Sequence, residues 1–436
     1  MWILYLKQGW ELIKQHRFYT SVYVLGTGLA ITMVMVMAIV YHIRTANIAP
    51  ESNRDKMLIV KVAYAKLLDN SGFYNGGLSY QTLKECYYSL QNSRVVAAGV
   101  NSDNLRGTAS DFYISVSGSE TAYKGSVYCT DAAFFQAFNY SFVTGRPYSE
   151  EEFQSGMCCV VLSEKLAYKL FNANDILNNT LLINDIEYIV TGVVKDVSPV
   201  FTNAYAEFWI PYSSIPYIKD FNGGGGIVGL FSAFILADNK VDYPLIKKEI
   251  EQNINKYNTS IADWEYQIRD NFLRNIFQSE LSKHYYLIDI EALIIRYCII
   301  AFVFLLVPVI NLSGVTSSRM QERVSELGIR KAFGATQGAL VNQILTENLT
   351  LTLLGGIMGL ILSFLIVFFM KNLLFDLDLY SLSTPEISLS FFMLFNMQIF
   401  GYALGICLLL NVLSSYVPVW NVARRSIVQS INDKYS

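Results

Sequence analysis

Residues 319–336 of the chain read RMQERVSELGIRKAFGAT, a stretch dense in alternating charge. It lies between two charge-free runs, residues 297–318 and 348–370. Each run reaches the roughly 20 mostly apolar residues that a helix needs to cross the hydrocarbon core of a bilayer. The pattern predicts a short charged connector between two membrane spans, and similar apolar runs predict further spans at 18–43 and 394–417.

The composition agrees with a membrane protein. Hydrophobic residues make up 53% of the 436 residues and charged residues only 16%, whereas about 25% charged is usual for soluble proteins. A net charge of -3 shows no basic bias, so no nucleic-acid partner is expected. The three histidines, His16, His42 and His284, have no second ligand at metal-binding spacing, so no metal site is expected either.

The distribution of Lys and Arg predicts the orientation in the membrane. Positive residues occur in segments 1–17, 313–344 and 419–436, and none occurs in 372–392. Because cytoplasmic loops are enriched in Lys and Arg, both termini and the charged connector are expected in the cytoplasm. Residues 44–291 are then expected on the opposite side.

The predicted fold class is an α-helical membrane protein with four transmembrane helices plus a large mixed α+β extracytoplasmic domain. In chain order the predicted segments are an amphipathic interfacial helix (1–17), span one (18–43), the extracytoplasmic domain (44–291), span two (292–312), the cytoplasmic connector (313–344), span three (345–370), a short extracytoplasmic loop (371–393), span four (394–417) and a cytoplasmic tail (418–436).

Within residues 44–291 the pattern alternates short strands with short helices. Strands are predicted at 56–63 and 158–163, a hairpin at 181–194 that turns at Asn184 and Asp185, and helices at 80–90, 131–138, 164–171 and 242–257.

Three further features of this domain carry expectations. Gly223 to Gly226 predict a flexible connection, and the absence of any Gly-Lys dipeptide excludes a Walker A motif. Apolar residues at helical intervals from Asn271 to Ile300 predict one helix that continues into span two. Four cysteines lie outside the spans: Cys86, Cys129, Cys158 and Cys159. A disulfide between Cys86 and Cys129 and buried free thiols are both compatible with the sequence.

The charged connector resembles the signature of MacB/FtsX-like ABC transporter permeases, in which E-x-G-I-R-K-A-x-G-A precedes the third transmembrane helix. Glu326, Gly328 to Ala332, Gly334 and Ala335 fit this pattern, and Gly355, Gly356 and Gly359 fit the glycine-rich helix that follows it. A second resemblance is to the MacB-type periplasmic core domain. It is carried by Phe134-Phe135, Thr144 to Pro147, Val160 to Ser163, Ala167, Leu170-Phe171 and Ile189 to Asp196.

The resemblance implies a non-catalytic permease subunit in the bacterial inner membrane that works by mechanotransmission. It implies an ABC ATPase dimer that binds ATP and Mg, a second permease chain that is identical or paralogous, and the lipid bilayer as partners. A periplasmic adaptor, an outer-membrane channel or another periplasmic protein is a further optional partner. No cofactor is expected on this chain. Export of antimicrobial compounds or peptides from the periplasm is favoured, and lipoprotein extraction or control of cell-wall hydrolases are alternatives. Outside this class, the alternatives are an ATP-independent anchored sensor or scaffold and, with least support, an outward-facing enzyme.

Two sets of residues carry these expectations. The interface that couples to the ATPase is expected at Arg319, Glu322, Arg323, Glu326, Leu327, Gly328, Ile329, Arg330, Lys331, Gly334 and Ala335. Charged residues three or four positions apart in this set are expected to pair on a helix, and its small residues are expected to allow a sharp turn. Helix packing in the membrane is expected at Gly355, Gly356, Gly359, Gly401 and Gly405. For Gly355 and Gly359, packing within the chain and a dimer interface both stay open, and packing within the chain is favoured for Gly401 and Gly405.

Overall fold

The structure is a computed structural model. It describes residues 17–105, 111–116, 118, 121–173, 176–267, 274–275, 292, 295–296, 299–300, 302–303, 314, 317–318, 321, 324–375, 387–394 and 397–424. The chain forms two compact units. The helical unit comprises residues 1–42, 291–384 and 389–436, and the sheet unit comprises residues 43–290 and 385–388.

Helices and strands are numbered in chain order. The described α-helices are α1 (Arg17–Thr45), α2 (Tyr80–Cys86), α3 (Ser102–Leu105), α4 (Phe134–Ala137), α5 (Glu150–Gln154), α6 (Glu164–Phe171), α7 (Pro216–Asp220), α8 (Tyr243–Asn258), α9 (Val324–Ala332), α10 (Gln337–Phe369), α11 (Lys371–Phe375), α12 (Phe391–Leu394) and α13 (Met397–Arg424). The described strands are β1 (Met57–Val60), β2 (Ala63–Leu67), β3 (Phe73–Leu78), β4 (Val95–Asn101), β5 (Tyr113–Val116), β6 (Tyr123–Lys124), β7 (Val127–Thr130), β8 (Phe142–Gly145), β9 (Cys159–Ser163), β10 (Thr180–Ile183), β11 (Ile186–Val194), β12 (Phe208–Pro211), β13 (Val228–Gly229), β14 (Ser232–Leu236), β15 (Trp264–Gln267) and β16 (Arg274–Asn275).

The sheet unit is built on a large mixed sheet and a small antiparallel sheet. In the described residues the larger sheet has 12 strands in the order β16-β1-β14-β4-β7-β12-β9-β11-β10-β5-β6, with β8 paired to β11. Its pairs are antiparallel except β7 with β12 and β9 with β11, which are parallel. The smaller sheet has the order β13-β3-β2-β15. Fully buried aromatic side chains fill the core between these sheets and their helices, as expected for large apolar groups.

Local sequence explains several of the elements. Asn184 and Asp185 adopt φ of 47° and 66° and close the β10–β11 hairpin as predicted, because Asn and Asp tolerate the left-handed region that a tight hairpin turn needs. The side chain of Ser163 accepts a hydrogen bond from the backbone N–H of Leu166 and caps α6. Asn172 ends α6 in the left-handed conformation, with φ of 53°.

Two expectations for the elements of this unit are corrected. The strand predicted at 56–63 is divided between β1 and β2. The helix predicted from Asn271 is wrong at Arg274 and Asn275, which form β16 and pair with Leu58 and Ile59, because the edge of β1 offers backbone groups that a strand can satisfy. The rest of that predicted helix up to residue 291 lies outside the described residues.

The four-glycine stretch is a packed turn instead of a flexible connection. Gly224, Gly225 and Gly226 have φ of 55°, 70° and 87°. A Cβ on Gly225 would lie 2.5 Å from the Trp264 ring, and a Cβ on Gly224 would lie 2.7 Å from Ala65. The glycines are therefore required by close packing and positive φ. The four cysteines of this unit, Cys86, Cys129, Cys158 and Cys159, are free thiols.

In the helical unit, two described helices are long and apolar enough to cross a membrane. These are residues Thr20–Thr45 of α1 and all of α10. Helix α10 begins at Gln337, within the predicted connector. Helix α13 includes residues 397–417 of the predicted fourth span. Most of the predicted second span and the predicted interfacial helix, apart from Arg17, lie outside the described residues.

Glycines bring α1 and α10 close together. A Cβ on Gly355 would lie 2.9 Å from Cβ of Thr27, and one on Gly359 would lie 2.8 Å from the carbonyl oxygen of Gly28. The Thr32 hydroxyl also donates to the Gly359 carbonyl, at 3.3 Å. The first glycine pair therefore serves packing within the chain, with small residues admitting a second backbone.

The other packing glycines behave differently. A Cβ on Gly356 would lie 2.7 Å from a methyl carbon of Leu404, on α13. A Cβ on Gly401 or Gly405 would meet no atom within 4 Å among the described residues. The described structure therefore shows no packing role for this second pair.

Candidate functional site

The charged connector folds into helix α9 followed by a tight turn into α10. The turn is a Schellman motif: the backbone N–H of Gly334 donates to the Lys331 carbonyl and that of Ala335 to the Arg330 carbonyl, each at 3.1 Å. Gly334 has φ of 93°, which other residue types rarely adopt. The Thr336 hydroxyl then accepts from the N–H of Ala339 and caps α10. Of the small residues expected to turn, Gly334 does so, while Gly328 lies inside α9.

A chain of polar side chains ties α9 to α10. Arg330 forms an ion pair with Glu326 at 2.6 Å, one helical turn away, as the spacing predicts. Its second nitrogen donates to Oε1 of Gln343 at 2.7 Å, and Gln343 donates to Glu347 at 3.2 Å. Both members of the ion pair are partly exposed, at 37% and 43%, so the pair adds only about 0.3–0.5 kcal/mol of stability. Its main effect is to fix the direction of the Arg330 side chain towards α10.

An apolar contact lies beside this polar chain. Leu327 of α9 packs with Leu340, Val341 and Ile344 of α10, and Trp420 of α13 packs against the same cluster. Burial of apolar side chains of this size stabilises the contact by about 1.5–3 kcal/mol each. Helix α9 is therefore held against two long helices of the unit by both polar and apolar groups.

The opposite side of this connector exposes apolar groups. Phe333 is 88% exposed and Ile329 is 52% exposed, four residues apart at the end of α9. Arg330 and Lys331 lie between them in the sequence. Phe333 has the largest exposed fraction among the exposed large hydrophobic side chains of the described residues, and aromatic residues are among the types enriched where protein interfaces carry most binding energy.

The structure describes the positions of part of the predicted coupling set, and the coupling role stays a prediction. Glu326, Leu327, Gly328, Ile329, Arg330, Lys331, Gly334 and Ala335 come together in α9 and its turn. Arg319, Glu322 and Arg323 lie outside the described residues. The sequence-based set omitted Phe333, although it is the one aromatic residue within 319–336. It also omitted Gln343 and Glu347, two polar residues four positions apart at the start of an apolar helix.

A second arrangement, within the sheet unit, was also missed. The Arg54 side chain pairs with Glu51 at 2.7 Å, and the two side chains are 1% and 0% exposed. Arg54 also donates to the carbonyl oxygens of Ile43, at 2.6 Å, and Ala46, at 3.2 Å, and its guanidinium lies 5.1 Å from the Phe201 ring centroid. Arginine is suited to several directed bonds from one buried group. The buried Arg54 side chain thus binds the carbonyl oxygens at the C-terminal end of α1 and just after it.

The described residues contain no group of three or more His, Cys, Asp or Glu that fits a metal ion. The expectation that ATP and Mg are bound by another subunit stays a prediction.

Comparison with known proteins identifies the family. Residues 20–253 match the model of the MacB-like periplasmic core domain, and residues 298–427 match that of the FtsX-like permease C-terminal domain. The ABC transporter permease YknZ of Bacillus subtilis, described as uncharacterized, is 25% identical over 50% of this chain and 51% of its own length. The macrolide export ATP-binding/permease protein MacB of Pasteurella multocida is 23% identical over 71% of this chain and 43% of its own length.

The matches to these relatives thus span about half of their length or less. Among solved structures, the periplasmic region of MacB from Actinobacillus actinomycetemcomitans aligns with a TM-score of 0.33 and 15% identity, covering 48% of this chain and 88% of that structure. The family models together cover most of the chain in the order expected of such a permease. The chain belongs to the family of MacB/FtsX-like ABC transporter permeases with a MacB-like periplasmic core domain.

Proposed function

We propose that this chain is the permease subunit of a mechanotransmission-type ABC transporter and that α9 docks on a separate ATPase subunit. The observation that carries this is the 88% exposure of Phe333 at the end of a helix whose other side is fixed to α10. Phe333 and Ile329 then form the docking surface. The ATPase supplies the sites for ATP and Mg.

The packing of α9 explains how docking would be transmitted. A force on Phe333 acts through the Schellman turn directly on the first residues of α10. The Arg330–Gln343 bond and the Leu327 contact keep α9 from rotating against α10. Because both a polar chain and an apolar cluster join the two helices, displacement of α9 moves α10 as one piece.

The proposed assembly is the one that the family resemblance implies. Two permease chains, identical or paralogous, face an ATPase dimer, with four spans per chain and both termini in the cytoplasm. ATP-driven closure of the ATPase dimer moves α9, and the motion reaches the periplasmic core domain. The cargo is handled outside the membrane instead of through a polar pore.

For the cargo, we propose export of antimicrobial compounds or peptides from the periplasm. The support is that a relative with the same core domain is named a macrolide exporter. Lipoprotein extraction and control of cell-wall hydrolases are the alternatives within the family, and a periplasmic adaptor or outer-membrane channel is a partner only in the export case.

The docking proposal is tested by changing Phe333 in the assembled complex. Phe333→Asp should lower ATP turnover strongly, since a charge replaces an apolar anchor of the kind that contributes about 2 kcal/mol or more to an interface. Phe333→Leu keeps an apolar side chain and should retain most of the turnover. Membrane insertion and purification yield should be unchanged in both variants, because Phe333 packs against little within the chain.

The alternative from another class is a membrane-anchored sensor or scaffold that works without ATP. It predicts no ATPase in the purified complex. Equal turnover for wild type and Phe333→Asp would remove this docking surface from the coupling role.

A further inference from the structure

One lysine of the sheet unit is surrounded by aromatic rings. Nζ of Lys219, on α7, lies 5.2 Å from the ring centroid of Tyr80, 5.8 Å from that of Phe153 and 5.6 Å from that of Tyr212. We call these three rings the Lys219 cage. A ring within about 6 Å of a cation attracts it through the negative face of the π system. Three rings from separate elements therefore surround one ammonium group at distances that allow cation–π attraction.

The walls of the Lys219 cage are held independently of the lysine. The Tyr212 ring makes an edge contact with Phe153, with centroids 4.8 Å apart, and another with Tyr80, at 6.2 Å. Phe231 packs against Tyr212 from a further direction, at 4.9 Å. Tyr212 is 1% exposed and Phe153 is 9% exposed. Removing the lysine side chain should therefore open a space without collapsing its walls, because the rings support one another.

The lysine fills this space loosely. Elsewhere in the unit, Nζ of Lys169 approaches the Tyr123 ring to 4.1 Å, which is a close contact for a bare ammonium group. All three distances in the Lys219 cage are longer. No salt bridge joins Lys219 to a carboxylate of the described residues. An ammonium nitrogen that carried alkyl groups would bring carbon atoms into the gap between cation and rings.

A buried acid lies behind the cage. The Tyr212 hydroxyl is 3.0 Å from the Tyr88 hydroxyl, which donates to Oδ2 of Asp131 at 2.6 Å. Asp131 is 4% exposed and also accepts from the backbone N–H groups of Ala98 and Phe134. The hydrogen-bonded chain therefore joins the Tyr212 wall of the cage to a buried carboxyl group and fixes the position of the Tyr212 ring.

We propose that the Lys219 cage is a binding site for an organic cation with N-alkyl groups, and that Lys219 occupies it when the ligand is absent. The ligand displaces the lysine side chain, which is partly exposed and reaches solvent by rotation of its flexible stem. The class of ligand is a tertiary or quaternary amine. This site belongs to the sheet unit, and it does not depend on docking of an ATPase.

The test is calorimetric titration of the full-length protein with choline. The protein is kept in a maltoside detergent, since detergents with a choline headgroup would compete. Lys219→Ala removes the internal occupant and should bind choline at least about tenfold more tightly than wild type, equivalent to about 1.4 kcal/mol. Lys219→Arg keeps a cation in the cage and should show no such gain. Lys248→Ala, which removes an exposed lysine of α8, controls for the change in net charge.

Two further measurements separate cation binding from simple filling of an apolar space. Dimethylbutanol, the uncharged tert-butyl analogue of choline, should bind Lys219→Ala much more weakly than choline does. Adding Tyr80→Leu to Lys219→Ala removes the most accessible ring and should abolish the gain. Equal affinity of Lys219→Ala and wild type for choline would overturn the proposal, and so would equal binding of choline and dimethylbutanol. Neither result would affect the docking role of Phe333.

Discussion

Replacing Arg54 by Met should destabilise the sheet unit strongly. The change removes the 2.7 Å ion pair with Glu51 and the bonds to the carbonyl oxygens of Ile43 and Ala46. It leaves the Glu51 carboxylate at 0% exposure without its buried cation. Removing one partner of a buried pair costs about 3–5 kcal/mol, because the remaining charge is uncompensated.

The assay is thermal unfolding of the full-length protein in detergent, monitored by the circular-dichroism signal of β-structure. For a domain of this size each kcal/mol shifts Tm by about 2–4 °C, so Arg54→Met should lower Tm by about 6–20 °C. The matched control is Lys124→Met. Lys124 pairs with Asp111 at the same 2.7 Å distance, but the side chains are 53% and 52% exposed. An exposed pair contributes at most about 1 kcal/mol, so this control should shift Tm by only a few degrees.

The double variant Glu51→Met with Arg54→Met separates charge from packing. Since it leaves no unpaired buried charge, it should recover much of the stability lost in Arg54→Met. The reasoning would be refuted if Arg54→Met lowered Tm no more than Lys124→Met did. A double variant whose Tm lies further below that of Arg54→Met, by as much as Glu51→Met alone lowers the wild-type Tm, would refute it as well.

Three further predictions concern other parts of the chain. Gly334→Val should destabilise the α9–α10 turn by about 1–2 kcal/mol, because φ of 93° is strained for a β-branched residue, and limited proteolysis should cut there faster. Burial raises the pKa of Asp131 from 3.8 to about 7, so the folded state binds this proton more tightly than the unfolded chain does. Its contribution to stability should therefore fall as pH rises from about 4 to about 7, and Asp131→Asn should flatten the dependence of Tm on pH in that range. Gly359→Leu should disrupt the contact of α10 with α1 and lower Tm, whereas Gly405→Leu, which meets no described atom within 4 Å, should be tolerated.

The sequence predicts the local elements of the fold best where a turn or cap residue marks their ends. Helix α6 begins and ends at the predicted residues, because Ser163 caps it and Asn172 ends it. The β10–β11 hairpin turns at Asn184 and Asp185 as predicted. Apolar periodicity without a turn or cap residue predicted the type of element less reliably. Arg274 and Asn275 were predicted as helix and form an edge strand, because pairing with β1 depends on residues far away in the sequence.

The candidate site could be predicted only in part for a similar reason. The spacing of Glu326 and Arg330 predicted their ion pair, since partners one helical turn apart face each other. The bond from Arg330 to Gln343 joins two helices across a tight turn, so no helical spacing indicates it. Exposure of Phe333 depends on which side of α9 packs on α10. Arg54 was missed because its bonds to the carbonyl oxygens of Ile43 and Ala46 depend on how the chain turns back against the end of α1.

Docking of α9 on an ATPase is the step on which the proposed function depends. Its most direct test is affinity purification of the tagged full-length protein from its own membranes in mild detergent, with the copurifying proteins identified and quantified by mass spectrometry. We expect an ABC ATPase subunit at near-stoichiometric amount with wild type and with Phe333→Leu, and its loss with Phe333→Asp. The absence of an ATPase from the wild-type complex, or an undiminished amount with Phe333→Asp, would contradict it.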